Sequence, residues 1–119
     1  MNNQAILETV VKAADERRAH DIVVLNIEKL SVMGRYFVIM DADSDRQVKA
    51  IANNIIDKLE EQQISISHVE GKDQANWILI ESGEVIVHVF KKETREFYNL
   101  EKLWADAQVE DVSAWITED

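Results

Sequence analysis

Apolar residues along the chain are spaced in two ways, one typical of helices and one typical of strands. Near the N-terminus they recur every three or four positions, which predicts an amphipathic helix over about residues 3–18. Residues 21–27 are almost all apolar and several are β-branched, as in a strand buried on both faces. A second strand is predicted at residues 36–40, after a turn at Gly34.

The clearest local pattern marks the start of a second helix. Ser44 is followed three residues later by Gln47, which is a capping box, and Asp45 adds negative charge to the first turn. Apolar residues then keep to one face as far as about Gln62. Residues 64–69 alternate like a half-buried strand, so strand, helix and strand predict a right-handed crossover between parallel strands.

A β-hairpin is predicted in the second half of the chain. Two short apolar runs at residues 77–81 and 85–90 flank a Ser-Gly pair, which indicates an antiparallel pair of strands. Residues 94–104 return to a helical spacing. The fold class is therefore α/β, with a mixed sheet of about five strands flanked by helices.

The end of the chain is predicted to be an acidic tail. Apolar positions from Val109 to Ile116 indicate a short final helix. Residues 105–119 carry five acidic and no basic side chains, which is half of the net charge of −10. Such a run is most often a solubilising tail, and the alternative is a surface that attracts a basic protein. We divide the chain into a domain at residues 1–107 and a tail helix at residues 108–119.

Composition excludes several classes of function. An acidic protein repels phosphate backbones, which disfavours direct nucleic-acid binding. The chain has no cysteine, so it has no disulfide, thiolate metal site or cysteine nucleophile. No apolar run approaches the roughly 18 residues that span a bilayer, and Glu8, Asp15 and Glu16 argue against a targeting segment. The cytoplasm is the expected location.

Alternating acids follow the second predicted strand. Asp41, Asp43 and Asp45 have the spacing that begins a calcium loop, but Arg46 and Ala52 occupy the positions where that loop needs Gly and Glu. Asp41 and Asp43 could instead hold magnesium for nucleotidyl transfer. That chemistry needs a phosphate-binding glycine turn, and the three glycines here are isolated. Acids that solvate a turn and cap a helix are the favoured interpretation.

Histidines and tryptophans are the remaining candidates for function. His20, His68 and His88 do not share a metal-ligand spacing, so no metal site is predicted. His88 lies in an apolar run, where a satisfied core histidine is commoner than one that faces a partner or acts in catalysis. Trp77 and Trp104 lie near predicted turns and ends. Burial in the core is the commoner role of tryptophan, but it is also the preferred anchor of protein interfaces.

Seven segments of the chain together resemble the ribosomal silencing factors, also called the RsfS, Iojap or YbeB family. The resemblance covers about residues 5–107 in the expected order, and the VHVF run followed by REFYNLEKLW is its most specific part. The segments are DIVVL at 21–25, YFVI at 36–39, DRQVKAIA at 45–52, EG at 70–71, WILI at 77–80, GEVIVHVF at 83–90 and REFYNLEKLW at 95–104.

The resemblance implies a mixed five-stranded sheet with helices on both faces, related to the nucleotidyltransferase fold but lacking its catalytic acids. It implies a protein that is not an enzyme and needs no cofactor. Such a protein binds large-subunit ribosomal protein fourteen, blocks the joining of the small subunit and represses translation when nutrients are short. It also implies a homodimer in the free protein. One departure is the acidic loop at residues 41–43, where the family usually has small neutral residues.

Two classes of function therefore stand side by side: a ribosome-binding interaction protein, and a metal-dependent nucleotidyltransferase-like enzyme that uses Asp41 and Asp43. The interaction protein is favoured, because a steric blocker needs no reactive group and an acidic protein suits a basic ribosomal partner. Its partner-binding residues are expected near the hairpin and the segment after it. They are Trp77, His88, Tyr98, Glu101 and Trp104, with Glu70 and Asp73 at the rim.

Overall fold

Strands form one mixed sheet in a computed structural model that describes residues 3–30 and 34–117. Within these ranges the sheet has six strands in the order β3-β4-β5-β2-β1-β6. β2 and β5 pair in parallel, and every other neighbouring pair is antiparallel. The α/β class and the mixed sheet are confirmed, with one strand more than expected. The strands are β1 His20–Asn26, β2 Tyr36–Ala42, β3 His68–Glu70, β4 Trp77–Ser82, β5 Val85–Lys91 and β6 Gln108–Glu110.

Helices lie on both faces of this sheet. The long helices α1 Asn3–Glu16 and α2 Asp45–Glu61 bury their apolar stripes against one face. On the other face, a smaller cluster around Phe37, Ile39 and Phe90 is partly covered by Leu100 and Trp104. The remaining helices are α3 Lys92–Tyr98, α4 Leu100–Leu103 and a 3₁₀ turn at Ser113–Trp115.

The start of α2 follows the predicted capping box. Ser44 has extended backbone geometry, and its Oγ accepts a hydrogen bond from the Gln47 amide at 3.2 Å. The helix is tied to α1 by Asn54, which is buried and whose Nδ2 donates to the Ala13 carbonyl at 2.8 Å and to Glu16 Oε1 at 3.0 Å. The two helices are therefore joined by a polar contact within an apolar layer.

The predicted crossover is only partly correct. β3 does not lie beside β2, because β4 and β5 separate them, and the parallel neighbour of β2 is β5. β3 also begins at His68 rather than at residue 64. The residues before it still follow the edge of β4, where the Ser67 amide donates to the Glu81 carbonyl at 2.8 Å. The turn predicted at Gly34 includes residues 31–33, which lie outside the described residues.

The predicted tail helix is wrong. Residues 108–110 form β6, which pairs antiparallel with β1, and a single 3₁₀ turn follows. Pairing satisfies the backbone groups on the open edge of β1, whereas an isolated helix of this length is marginal in water. Trp115 and Ile116 then pack against the core on the α1 side. Residues 118–119 lie outside the described residues, and a domain boundary after residue 107 stays a prediction.

The cap of α2 gives a first prediction. Replacing Ser44 by alanine removes the acceptor of the Gln47 amide, and should lower the free energy of unfolding by about 1 kcal/mol. Ser44 is exposed, so the change leaves no cavity. Denaturant unfolding measures the loss, and Ser44→Asp, which keeps an acceptor, should stay close to wild type. Equal losses in both variants would show that the cap does not stabilise the helix.

Candidate functional site

One face of the sheet is left partly open at the β3–β4 edge. Residues of β4 alternate, with Ile78 and Ile80 buried on the α2 side and Trp77 and Leu79 half-buried on the other. An open groove of about 470 Å³ is lined by Trp77, Leu79, Glu70 and Gly71. Because neither α1 nor α2 reaches this face, its aromatic side chains meet solvent.

The α3–α4 segment extends this open face with further apolar side chains. The Tyr98 ring lies 4.9 Å from the Trp77 ring, and the Phe97 ring meets Tyr98 edge-on at 5.1 Å. Tyr98 is 51% exposed, Phe97 81% and Leu103 73%. Trp104 is half-buried and packs edge-on against Phe37 with ring centroids 5.5 Å apart. We call Trp77, Phe97 and Tyr98, which are joined by ring contacts, the aromatic surface; Leu103 is a further exposed apolar residue of the same segment.

His88 lies beneath this surface and not on it. The side chain is only 4% exposed, and its Nδ1 accepts a hydrogen bond from Trp77 Nε1 at 3.0 Å. The ring must therefore be neutral with its hydrogen on Nε2, which is buried without a hydrogen-bond partner among the described residues. Burial lowers the pKa of His88 to about 4. His88 therefore affects the aromatic surface only indirectly, because its hydrogen bond orients the Trp77 ring.

A buried arginine connects the helices of this region to the sheet. Arg95 Nε and Nη2 donate to the two carboxylate oxygens of Glu101, each at 3.1 Å. Nη1 donates to Asp41 Oδ2 at 2.7 Å and to the His20 carbonyl at 3.3 Å. Burial lowers the pKa of Arg95, but the hydrogen bonds to Glu101 and Asp41 outweigh burial and raise it. Glu101, a predicted partner residue, is thus oriented by an intramolecular contact.

The three acids considered for a metal site, Asp41, Asp43 and Asp45, lie in three different environments. Asp41 does not solvate a turn as expected, because its carboxylate is buried at the end of β2 against Arg95. Asp43 stays exposed, with His20 Nδ1 3.8 Å from its Oδ1, and Asp45 pairs with Lys91 at 3.2 Å. Within residues 3–30 and 34–117, no three side chains of His, Cys, Asp or Glu are grouped so that they could hold a metal ion.

The predicted rim residues are exposed at the same edge. Glu70 Oε1 lies 2.9 Å from His68 Nε2, and this hydrogen bond raises the pKa of His68. Asp73 lies in the loop between β3 and β4. The structure therefore brings Trp77, Tyr98 and Glu70 to one region, with His88 and Trp104 supporting it from below.

Sequence reasoning missed Arg95, and missed that Phe97 and Leu103 are exposed. Residues 94–104 were predicted as one helical stretch, whereas the helix is interrupted at Asn99, which has the left-handed geometry φ 46°, ψ 61°. Asparagine tolerates this region better than most residues, and was the available sign of a break. No pattern of apolar spacing shows that an arginine will be buried.

Comparisons with known proteins agree with this architecture. The family model described as "Ribosomal silencing factor during starvation" matches residues 1–119. A ribosomal silencing factor of Bacillus subtilis is 46% identical over 112 residues, covering 94% of this chain and 95% of that protein. The chain belongs to the ribosomal silencing factor family.

More distant relatives share the fold. A crystal structure of a protein from Chromobacterium violaceum matches this ribosomal silencing factor with a TM-score of 0.85 at 34% identity, over 88% of both chains. The chloroplastic protein Iojap of Zea mays is 36% identical over 83% of the chain, which is 43% of that protein. The family resemblance is confirmed, and with it a regulatory role in silencing ribosomes. No helix within the described ranges is long and apolar enough to cross a membrane.

His88 makes the stability of this silencing factor depend on pH. Its pKa is about 4 in the folded chain and about 6.5 when exposed, so the unfolded chain binds more protons between these values. The contribution of neutral His88 to the free energy of unfolding is therefore present above pH 6.5. It is lost as the pH falls towards 4, by up to about 3 kcal/mol. Denaturant unfolding of the wild type and His88→Gln at several pH values measures it. The free energies of unfolding of the two proteins should diverge between pH 6.5 and 4, and parallel curves would contradict the lowered pKa of His88.

Proposed function

We propose that this silencing factor binds the large ribosomal subunit through ribosomal protein fourteen and sterically prevents the small subunit from joining. Translation is thereby repressed when nutrients are limiting, and the protein acts in the cytoplasm, where its target lies. The observation that carries the proposal is the aromatic surface, an exposed apolar patch at one sheet edge of a family member whose relatives are named for silencing ribosomes.

The aromatic surface has the composition of a protein interface. Trp77 and Tyr98 combine large apolar area with a polar atom, which makes such residues frequent anchors. Phe97 and Leu103 remain mostly in water, a free-energy cost that a partner would remove. The same argument supports the homodimer expected of the free protein, since a second copy can cover the patch.

Charge around the surface favours a basic partner. Residues 92–104 contain three basic and three acidic side chains, so they are neutral overall. The acidic excess nearby comes from the β3–β4 side, where Glu70, Asp73 and Glu81 outnumber Lys72, within a chain of net charge −10. Such charge speeds encounter with a basic ribosomal protein and keeps the surface away from bare phosphate backbone.

The geometry around Asp41 supports a role that is not enzymatic. A catalytic acid must be able to bind a metal ion or exchange a proton, and the Asp41 carboxylate is engaged by Arg95 at 2.7 Å. A protein that blocks subunit joining sterically, by contrast, needs only a stable fold and a surface that binds its partner. The geometry therefore favours the interaction protein over the nucleotidyltransferase-like enzyme.

Removal of Tyr98 tests the surface. Tyr98→Ala should weaken binding to purified large subunits by about thirtyfold, or about 2 kcal/mol, because it deletes an anchor next to Trp77. The control is Val109→Ala, since Val109 is 66% exposed but lies on β6, at the opposite edge of the sheet from β3. Both variants should melt close to wild type.

Co-sedimentation measures binding, and light scattering measures the joining of subunits. Normal joining at saturating wild-type protein would overturn the proposed function. Unchanged binding by Tyr98→Ala would instead show that the partner uses another face.

A further inference from the structure

The α3–α4 segment carries most of the aromatic surface, and the apolar side chains that pack it on the sheet, Leu100 and Trp104, are only half-buried. Arg95 is the buried residue of α3, and α4, which lies wholly within the described residues, has none. The helices have seven and four residues, which is too short for either to be stable alone. Their orientation must therefore come from contacts with the rest of the fold.

Arg95 supplies contacts to three elements at once. Its guanidinium donates two parallel hydrogen bonds to Glu101 on α4, and its third nitrogen donates to Asp41 at the end of β2. The same nitrogen reaches the His20 carbonyl at the start of β1. One side chain on α3 thus fixes α4 and the ends of two strands.

The hydrogen bonds from Arg95 to Glu101 cross a bend in the chain between α3 and α4. Asn99 ends α3 in left-handed geometry, and its amide donates to the Arg95 carbonyl at 2.8 Å. Glu101 lies two residues beyond the bend, so the pair of bonds from Arg95 spans it. The pair of bonds therefore restrains the orientation of α4 relative to α3.

We propose that Arg95 is a positioning residue for the partner surface: held by Asp41 and Glu101, it fixes the α3–α4 bend in the geometry that binds, without touching the partner. The inference rests on the proposed function and deepens it. Rigid presentation matters because side chains that are ordered only on binding reduce affinity. Lysine cannot replace Arg95, since an ammonium group does not form two parallel bonds to one carboxylate.

Hydrogen exchange of the free protein gives the first test. Arg95→Lys should speed amide exchange in residues 92–104 by about tenfold or more, while the central strands and α2 keep their protection. The control is Arg35→Lys, which alters a more exposed Arg–Glu pair, Arg35 just before β2 with Glu28 at 2.6 Å. Unchanged exchange in residues 92–104 would overturn the proposal. Should Arg95→Lys fail to fold, Glu101→Gln removes the charge from the more exposed end of the contact and should give the same pattern.

A double-mutant cycle on binding gives the second test. Arg95→Lys should weaken binding to large subunits by about tenfold, the order expected when one or two interface side chains lose their fixed positions. In a Tyr98→Ala background the penalty should shrink, because the anchor that Arg95 positions is gone. An equal penalty in both backgrounds would indicate direct contact or a general loss of stability, and would overturn the positioning role.

The two measurements separate this inference from the proposed function. If wild-type protein does not bind large subunits, the proposed function fails at that step, before any variant is compared. Hydrogen exchange needs no partner, so it still reports whether Arg95 holds α3 and α4 in place.

Discussion

A sheet that is apolar on both faces must be covered on both, and this chain has helices enough for one face and part of the other. α1 and α2 cover most of the first face, with Val10, Ile51 and Ile55 among their fully buried residues. The second face is covered by two short helices and ends in half-buried positions at β4. The incomplete cover leaves an apolar surface open to solvent without an opening into the core, and the proposed interface makes use of that surface.

The ion pairs around Arg95 show how an acid considered for metal chemistry can serve structure instead. Two charges buried together are costly unless each is paired and hydrogen-bonded, and Arg95 meets that condition by using all three guanidinium nitrogens. The Asp41 carboxylate then lies opposite a permanent cation. A carboxylate held in this way orders a helix well and is a poor ligand for an exchanging metal ion.

Local patterns predicted most of the fold, because the forces behind them act within a few residues. Ser44 and Gln47 marked the start of α2, and the hairpin was evident from two apolar runs on either side of Ser82 and Gly83, of which Gly83 adopts a positive φ of 56°. β6 could not be found in this way, since its partner β1 lies more than eighty residues earlier and Val109 alone carries little signal. The candidate site followed the same rule: Trp77 and Tyr98 were named from local strings, whereas burial of His88 and Arg95 depends on distant neighbours.

The pairing of Trp77 with His88 explains why a histidine occupies the centre of an apolar strand. A half-buried indole needs an acceptor for its N–H, and an aliphatic residue at position 88 would leave that donor unpaired in a partly dry environment. Histidine supplies the acceptor at 3.0 Å, at the cost of a second nitrogen that has no partner in the described part of the chain. The accepted bond fixes the plane of the indole, and Tyr98 packs against the ring so held. An anchor restrained before binding loses less entropy when a partner arrives, so in the proposed interface the buried histidine would favour binding without touching the partner.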